Sequence, residues 1–378
     1  MPVEGDVAGF GHVSGPSLCF SHRMSARTSP AERERLLANP GFGRIFTEHM
    51  VRAHWSQDSG WSPLELVDYA PLALDPGTAA LHYAQAVFEG LKAFRQADGG
   101  VAAFRPDAHA MRFRSSARRM ALPELPAATF LEAIDLLLAA DHEWVPSAPD
   151  HSLYLRPLMY ASEVTLSVHP ATDVTFLLIA SPSGSYFPRG VEPVTVWLSE
   201  DFSRAAPGGT GAAKTGGNYA GGLLAQAQAA EHGCDQVVWL DSRDHSWVEE
   251  MGGMNLFFVY GTGTGARVMT PALTGTLLPG VTRDSLLTLG RDLGYRVEEG
   301  KISADEWRAG CAAGELTEVF ACGTAAVITP VGKVKGTSAE WVIGDGTPGP
   351  VTLRLREELM GIQYGERPDP HGWIHKIC

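Results

Sequence analysis

The chain has 378 residues, of which 44% are hydrophobic and 19% charged, a size and composition that suit two globular domains. Its formal net charge of −13 argues against nonspecific binding to nucleic acid or to an anionic membrane, and no apolar run approaches the ~20 residues of a membrane span. The five cysteines are far apart and form no Cys-x-x-Cys pair, so the sequence predicts neither a zinc ribbon nor a redox pair and favours the cytoplasm.

The first half of the chain mixes helices with short strands. Residues 1–28 are rich in Gly, Pro and Ser without a sustained apolar segment, which predicts a disordered tail and not a signal peptide. Ser29 should then cap a short helix that has Pro30 at its first position. We expect a small α/β domain over residues 29–182. Apolar spacing predicts short strands within 64–81, helices over 107–121 and 127–144, and strands over 153–157 and 174–180.

The second half is more regular. The Gly-, Pro- and Ser-rich residues 183–193 are predicted to link the two domains, and residues 194–378 to form a larger domain. The overall fold class is therefore mixed α/β, of the α+β type. Predicted strands cover 194–198, 236–240, 255–260, 267–270, 317–321 and 326–329, and predicted helices cover 220–231, 283–293, 303–311 and 351–362.

Lys214 is the most unusual residue of the chain. It lies among Gly, Ala and Thr residues, with no other charged residue between Arg204 and Glu231. Most lysines are exposed charges, but a lysine in such surroundings is suited to burial. Desolvation would lower its pKa and expose the lone pair that Schiff-base chemistry needs. Lys214 is therefore our candidate covalent partner for a carbonyl group.

A nucleoside-triphosphate loop is an alternative interpretation of the same segment. Residues Gly208–Thr215 nearly match Gly, four residues, Gly-Lys-Ser/Thr, but Ala213 replaces the second glycine. Thirteen residues, 200–212, also separate the preceding predicted strand from this position, too many for a tight strand-to-helix cradle. We therefore disfavour a phosphate-loop ATPase.

Other segments could supply the remaining parts of a lysine-bound pyridoxal phosphate site, which needs an acid near the ring nitrogen and an anion cup. Glu249 and Glu250 precede a glycine pair and a strand; one of two such neighbours usually faces solvent, and the other could contact the ring. Thr282, at a predicted helix N-cap, and the glycine-led turn at Thr324 could bind phosphate. For each segment alone an ordinary turn is the favoured interpretation, but together with Lys214 the segments make chance the weaker explanation.

A family resemblance accompanies these residues. The chain resembles the branched-chain amino-acid aminotransferases, which are fold-type IV pyridoxal-phosphate enzymes with two domains, from about Phe42 to Trp373. The motifs that carry it are Leu81–Phe94, Tyr154–Pro157, Gly208–Tyr219, Glu250–Asn255, Leu278–Asp284 and Gly323–Pro330.

The resemblance implies roles that spacing alone does not give. Lys214 would form the internal aldimine and shuttle the proton, Tyr219 would contact the ring hydroxyl, and Glu250 the pyridine nitrogen. Arg112, which periodicity cannot separate from its neighbouring arginines, would bind the phosphate. It would be assisted by Val281, Thr282 and Thr324. The residues implied around the substrate are Tyr83, Phe88, Tyr154, Arg156, Tyr186, Gly253, Ala325 and Ala326.

The resemblance also implies an activity and an assembly. It predicts ping-pong transamination between L-leucine, L-isoleucine or L-valine and 2-oxoglutarate, giving branched-chain 2-oxo acids and L-glutamate, with pyridoxal 5′-phosphate as cofactor and no metal. A homodimer is expected, with residues of the partner subunit near the site. A D-amino-acid aminotransferase or an aminodeoxychorismate lyase on the same fold is the alternative activity.

Overall fold

The computed structural model describes residues 28–184 and 191–377. The described helices are α1 (Pro30–Ala38), α2 (Ala79–Tyr83), α3 (Pro106–Arg119), α4 (Ala127–Asp141), α5 (Gly216–Ala220), α6 (Leu223–Glu231), α7 (Val281–Asp292), α8 (Ala304–Ala312) and α9 (Pro350–Gln363). The described strands are β1 (His49–Ser56), β2 (Gly60–Trp61), β3 (Glu65–Asp68), β4 (Ala86–Phe88), β5 (Leu91–Arg95), β6 (Val101–Phe104), β7 (Ser152–Ala161), β8 (Asp173–Ser183), β9 (Val194–Ser199), β10 (Gln236–Leu240), β11 (Val248–Met251), β12 (Met254–Tyr260), β13 (Arg267–Pro271), β14 (Arg296–Gly300), β15 (Leu316–Gly323), β16 (Val327–Lys335), β17 (Glu340–Val342) and β18 (Ile374–Lys376).

The first sheet is antiparallel and has the strand order β18-β6-β5-β7-β8-β1-β2, with β3 on β1 and β4 on β7. Helices α3 and α4 cover it, because their apolar faces bury Phe113 and Ile134 in the same core as the strands. The C-terminal strand β18 pairs with β6, so the end of the chain returns to this sheet. The mixed α/β fold class predicted from the sequence is confirmed, while the predicted domain boundaries stay a prediction.

The second sheet has the order β11-β10-β9-β16-β15-β12-β13-β14, with β17 on β16. Strand β11 also pairs with β12, so the strands from β11 to β12 close into a ring. Helices α7 and α9 pack on one side of this sheet, where Leu286 and Leu355 lie in a shared apolar core with Phe320. The two sheets together position the cavity described below.

Several elements form where local signals predict them. Ser29 caps α1 by accepting a hydrogen bond from the Glu32 N–H at 3.3 Å. Ser303 likewise caps α8, accepting a hydrogen bond from the Glu306 N–H at 3.1 Å at the start of the helix predicted over 303–311.

Three local predictions were wrong. Residues 64–81 contain one strand, β3, and then the start of α2, in place of several short strands. The single helix predicted over 220–231 is interrupted at Gly221 and Gly222, because adjacent glycines weaken a helix. Helix α7 begins earlier than predicted: Gly280 is its N-cap, and the Gly280 carbonyl accepts from the Asp284 N–H at 3.0 Å, so Thr282 lies inside the first turn.

None of the described helices combines the length and the apolar character needed to cross a bilayer.

Candidate active site

A cavity of about 230 Å³ lies where elements of both sheets meet. Its lining in the described chain contains the cations Arg112, Arg156 and Lys214 and no carboxylate. Positive charge with low-polarity walls attracts and holds anionic ligands. The residues proposed from the sequence that line it are Phe88, Arg112, Tyr154, Arg156, Lys214, Tyr219, Gly253, Val281, Thr282, Thr324, Ala325 and Ala326.

The backbone of Lys214 is fastened to the first sheet. Its carbonyl accepts from the Phe88 N–H at 3.0 Å, and its own N–H donates to the Ser116 hydroxyl at 2.9 Å. The next residue, Thr215, forms an isolated bridge with Val87. Lys214 therefore belongs to the second half of the sequence but is held by β4 and α3.

The glycine-rich loop before Lys214 is closed by polar side chains. Asn218 donates to the carbonyls of Thr210 and Ala213 at 2.8 and 2.9 Å, and its amide oxygen accepts from the Thr210 hydroxyl. Arg204 donates to the Gly211 carbonyl at 3.1 Å. The small residues allow this tight path: a Cβ on Gly211 would lie 2.2 Å from the Thr276 carbonyl oxygen.

The amine of Lys214 faces the cavity beside two aromatic rings. Its Nζ donates to the Tyr219 hydroxyl at 2.8 Å and lies 4.8 Å from the centre of the Phe88 ring. The residue is partly accessible, but burial of the amine, together with the charge of Arg112, lowers the pKa of Lys214 to about 8. Burial and the charge of Glu250 raise the pKa of Tyr219 to about 12, so this hydroxyl keeps its proton at neutral pH.

Glu250 lies just behind the cavity and is 1% exposed. Its Oε1 accepts from the Leu278 N–H, and its Oε2 lies 3.2 Å from Arg204 Nε without the alignment of a hydrogen bond. Burial raises the pKa of this carboxyl, against the opposing effect of Arg204. Glu250 therefore presents a buried acceptor atom that has no hydrogen-bond partner among the described residues.

Glu249 corrects the expectation that one of the two adjacent acids faces solvent. Its side chain points to the opposite side of β11 from Glu250 and is also buried, with 6% exposure. It accepts a hydrogen bond from the Thr276 hydroxyl. The two acids are thus separated by the alternation of the strand, and Glu250 is the one near the cavity.

The start of α7 borders the cavity. Gly280, Val281 and Thr282 line the cavity there, and the first N–H groups of a helix have no acceptor within the helix. Arg112 stands beside this turn and donates from Nη1 to the Pro279 carbonyl at 3.2 Å. Backbone donors, the helix dipole and a guanidinium therefore converge on one part of the cavity.

Arg112 is held by a buried acid that sequence reasoning did not single out. Its Nε and Nη2 donate to the two oxygens of Glu89 at 2.6 and 2.8 Å, and His109 contacts Glu89 at 2.8 Å. Burial opposes ionisation of Glu89, but Arg112 and His109 outweigh it and hold the pKa of the carboxyl below its usual range. Glu89 thereby fixes the orientation of the guanidinium.

A cationic and aromatic wall closes another side of the cavity. The Arg156 guanidinium lies 4.7 Å from the Phe88 ring centre and donates to the Tyr154 hydroxyl at 3.1 Å. Its Nε is buried without a hydrogen-bond partner, and no described carboxylate forms an ion pair with it. Gly90 lets Tyr154 approach, because a Cβ there would lie 1.8 Å from the Tyr154 hydroxyl oxygen. Arg156 is thus available to an anionic ligand.

One of the proposed substrate residues, Tyr83, does not line this cavity. Tyr83 is 39% exposed on α2, and its hydroxyl donates to the Leu166 carbonyl on the surface of the same chain. Tyr186 lies outside the described residues.

Several lining residues went unnoticed in the sequence. Phe42, Met254 and Asn255 line the cavity, and Arg204 supports both Glu250 and the glycine-rich loop. The position of Arg204 as the last charge before Lys214 was a usable signal. Phe42 carried none, because it lies far from the motifs along the chain.

The comparisons with known proteins point in the same direction as this geometry. Residues 86–334 match the family described as amino-transferase class IV. A probable branched-chain-amino-acid aminotransferase of Streptomyces coelicolor is 59% identical over 351 residues, which cover 93% of this chain and 96% of the relative. The chain belongs to the class IV aminotransferases, among their branched-chain amino-acid members.

Solved structures of such enzymes share the fold. The branched-chain amino acid aminotransferase of Escherichia coli superposes with a TM-score of 0.73 at 30% identity, over 88% of this chain and 100% of that one. The T.th. enzyme, complexed with N-(5′-phosphopyridoxyl)-L-glutamate, gives a TM-score of 0.67 at 29% identity, over 86% of this chain and 98% of that one.

The lowered pKa of Lys214 generates a prediction for the cofactor-free protein. When pyridoxal 5′-phosphate is added, the initial rate of its covalent attachment should rise as pH passes through about 8 and then level off, because the neutral amine is the nucleophile. The measurement is the visible absorbance change under stopped flow. Nα-acetyl-lysine, whose amine has a pKa of about 10.4, is the control and should keep gaining rate above pH 9. A protein midpoint near that of the control would contradict the prediction.

Proposed function

We propose that this chain transfers the amino group of L-leucine, L-isoleucine and L-valine to 2-oxoglutarate in a ping-pong reaction that uses pyridoxal 5′-phosphate bound through Lys214. The observation that carries the proposal is a desolvated lysine amine facing a cationic cavity, in a chain with 59% identity to a probable branched-chain-amino-acid aminotransferase. A cytoplasmic location stays a prediction.

The residues present suit the cofactor. The Oε2 of Glu250, which has no hydrogen-bond partner among the described residues, is a buried acceptor of the kind that a protonated ring nitrogen needs, and Tyr219 offers a hydroxyl near Lys214. The first turn of α7 and Arg112 suit a phosphate. When bound, pyridoxal 5′-phosphate supplies a reactive aldehyde and a ring that accepts the electron pair left at the substrate α-carbon.

The side chains of this chain then perform the proton transfers. Once an incoming amine replaces it, Lys214 is free to move a proton to and from the substrate α-carbon, and its pKa of about 8 suits both directions near neutral pH. The Tyr219 hydroxyl orients the lysine through the 2.8 Å hydrogen bond. Glu250, with its charge balanced by Arg204, favours a positively charged ring.

The walls of the cavity suit aliphatic side chains. The Phe88 ring packs against the Tyr219 ring at 5.0 Å, and Phe42 packs against Tyr154 at 5.1 Å. An apolar pocket discriminates one methylene by only ~1–3 kcal/mol, so leucine, isoleucine and valine should all be accepted.

Arg156 supports 2-oxoglutarate as the amino-group acceptor. Its guanidinium has no carboxylate partner among the described residues and lies against the aromatic wall. A second carboxylate on the substrate can pair with it, which an aliphatic side chain cannot do. The T.th. relative was solved with a ligand that contains L-glutamate, in keeping with this proposal.

We further propose that the chain works as a homodimer. An apolar patch formed by Leu81, Tyr83, Val164, Leu166 and Val168 is exposed, and the last two are 70% and 80% accessible. A soluble monomer rarely keeps such residues together on its surface. Association of two copies through this patch would bury it and could bring Tyr83 toward the cavity of the partner.

The first test of the proposed function is Lys214→Ala. The variant should lose leucine–2-oxoglutarate transamination and should carry no label after borohydride reduction with the cofactor, because the amine that attaches it is gone. Lys335→Ala, which removes a lysine far from the cavity, should retain both. Labelling of Lys214→Ala at another lysine, or a wild type that prefers D-alanine to L-leucine, would refute the proposal.

The second test is Glu250→Gln. A neutral amide cannot balance a protonated ring, so turnover should fall by about 10²–10⁴-fold while the cofactor stays bound. Steady-state kinetics and the visible spectrum separate the two effects. Glu249→Gln is the matched control, since that acid lies on the other side of the strand. If both variants turn over like the wild type, neither acid has this role.

The third test concerns assembly. Val168→Asp should shift the protein toward monomer in sedimentation velocity, because a charge in a buried apolar interface is unfavourable. Leu353→Asp, at a position that is 43% exposed on α9, serves as the control and should leave the assembly unchanged. A monomeric wild type, or dimers of equal affinity in all three proteins, would exclude this interface.

A further inference from the structure

Lys92 is a buried cation to which the reaction outlined above assigns no role. It lies on β5, is 5% exposed, and forms no ion pair with a carboxylate among the described residues. Its Nζ donates a hydrogen bond to the Ala325 carbonyl at 2.9 Å, across 233 residues of sequence. A charged group is costly to bury, so a buried ammonium whose one hydrogen bond among the described residues goes to a carbonyl in the other half of the chain requires an explanation.

The contact is made with a strained turn. Residues Thr324–Ala326 connect β15 to β16, where Gly323 pairs with Val327. Val327 has φ of 60°, a left-handed conformation that a β-branched residue rarely adopts. Such backbone persists only where its surroundings hold it, and the Lys92 hydrogen bond is one such restraint.

The turn separates two cavities. Thr324, Ala325 and Ala326 line the active-site cavity on one side. On the other side lies a smaller cavity of about 30 Å³, whose lining includes Lys92 together with Ala325 and Ala326. Lys92 therefore contacts the turn from the side of the small cavity and does not line the active-site cavity.

The hydrogen bond from Lys92 fixes the direction of the Ala326 N–H group. The carbonyl of Ala325 and the N–H of Ala326 belong to one peptide unit, and in a trans peptide they point in opposite directions. With the carbonyl turned toward Lys92, the N–H faces the active-site side. No described residue accepts a hydrogen bond from this N–H. The ammonium also polarises the peptide and makes the N–H a stronger donor.

We propose that Lys92 is a positioning residue that, by holding the Ala325 carbonyl, aims the Ala326 N–H at the α-carboxylate of the amino-acid and oxo-acid substrates. The inference rests on the proposed transamination and adds a residue to it. It explains both why the Lys92 ammonium is buried and how the strained turn at Thr324–Ala326 is held.

The charge of Lys92 should titrate within the working range. Burial lowers its pKa to about 8, while Asp150 acts in the opposite direction and Arg356 adds to the lowering. Asp150 and Arg356 form an ion pair at 2.8 Å in the same small cavity, and the Tyr364 hydroxyl there donates to the His151 carbonyl. Tyr154 is the cross-strand neighbour of Lys92 on β7. As pH rises above about 8, the turn should therefore lose its cationic anchor.

The test uses the cofactor-loaded protein and 4-methylvalerate, a carboxylate with the leucine side chain and no amine. Lys92→Met keeps an unbranched stem but removes the charge and the donor, and it should weaken 4-methylvalerate binding about tenfold in isothermal titration calorimetry. KM for leucine should rise by a similar factor, while kcat and cofactor affinity stay close to the wild type. Lys335→Met is the matched control, because Lys335 also donates to a backbone carbonyl, that of His232 at 2.9 Å, and it should change nothing.

The Lys92→Arg variant tests whether the positive charge of Lys92, and not the exact shape of its side chain, supports 4-methylvalerate binding. The guanidinium stays charged, so this variant should bind 4-methylvalerate at pH 7 and should lack the loss of affinity that the wild type shows between pH 7 and 9. If Lys92→Met does not fold, the pH dependence of 4-methylvalerate binding in the wild type and in Lys92→Arg tests the inference. Equal weakening in the Arg and Met variants, a parallel pH dependence in wild type and Lys92→Arg, or an unchanged constant in Lys92→Met would overturn the inference. A wild type that does not transaminate leucine would instead refute the proposed function.

Discussion

The hydrogen bond between the Phe88 N–H and the Lys214 carbonyl is the constraint on which the site depends. It fastens the loop that carries the lysine to a strand of the first sheet, while Glu250 and the start of α7 belong to the second sheet and its helices. Together with the hydrogen bond from the Lys214 N–H to Ser116 and those from Asn218 across the glycine-rich loop, it holds the amine at a fixed place. Because the lysine is tied to the first sheet while Glu250 and the start of α7 belong to the second sheet and its helices, the site is complete only when both halves of the chain are folded together.

Charge is distributed in this molecule in a way that favours anionic ligands. The chain as a whole carries a net charge of −13, yet the described lining of the cavity contains Arg112, Arg156 and Lys214 and no acid. The nearby acids are kept out of the cavity: Glu89 is bound to Arg112 and Glu250 lies beside Arg204. Each acid orients a cation or remains available to a ring nitrogen, so neither repels an incoming carboxylate or phosphate.

The sequence pointed to the residues around the Lys214 amine more readily than to the contacts that hold those residues in place. Lys214 stands out because its neighbours in the sequence are small and uncharged. The family resemblance indicated the roles of Tyr219 and Glu250. The hydrogen-bonded ion pair between Arg112 and Glu89 joins residues 23 positions apart, a separation that no helix or strand periodicity indicates. The N-cap of α7 was misplaced because Thr282 is a good capping residue, whereas Gly280 is the one with extended backbone. Tyr83 lies on the surface of a single chain, so its place near the substrate, which the resemblance implies, stays a prediction that depends on the proposed dimer.

Contacts between the two halves of the chain also shape the backbone around the site. Lys92 on the first sheet donates to the Ala325 carbonyl, and Arg112 on α3 donates to the Pro279 carbonyl, so both contacts exist only where the two halves of the chain meet. Both contacts are made by cations to backbone carbonyls, which fixes the path of the main chain without offering a carboxylate to the cavity. The Lys92 contact holds its turn from behind the cavity, whereas the Arg112 contact is made within it at the start of α7, and a small shift between the sheets would disturb both.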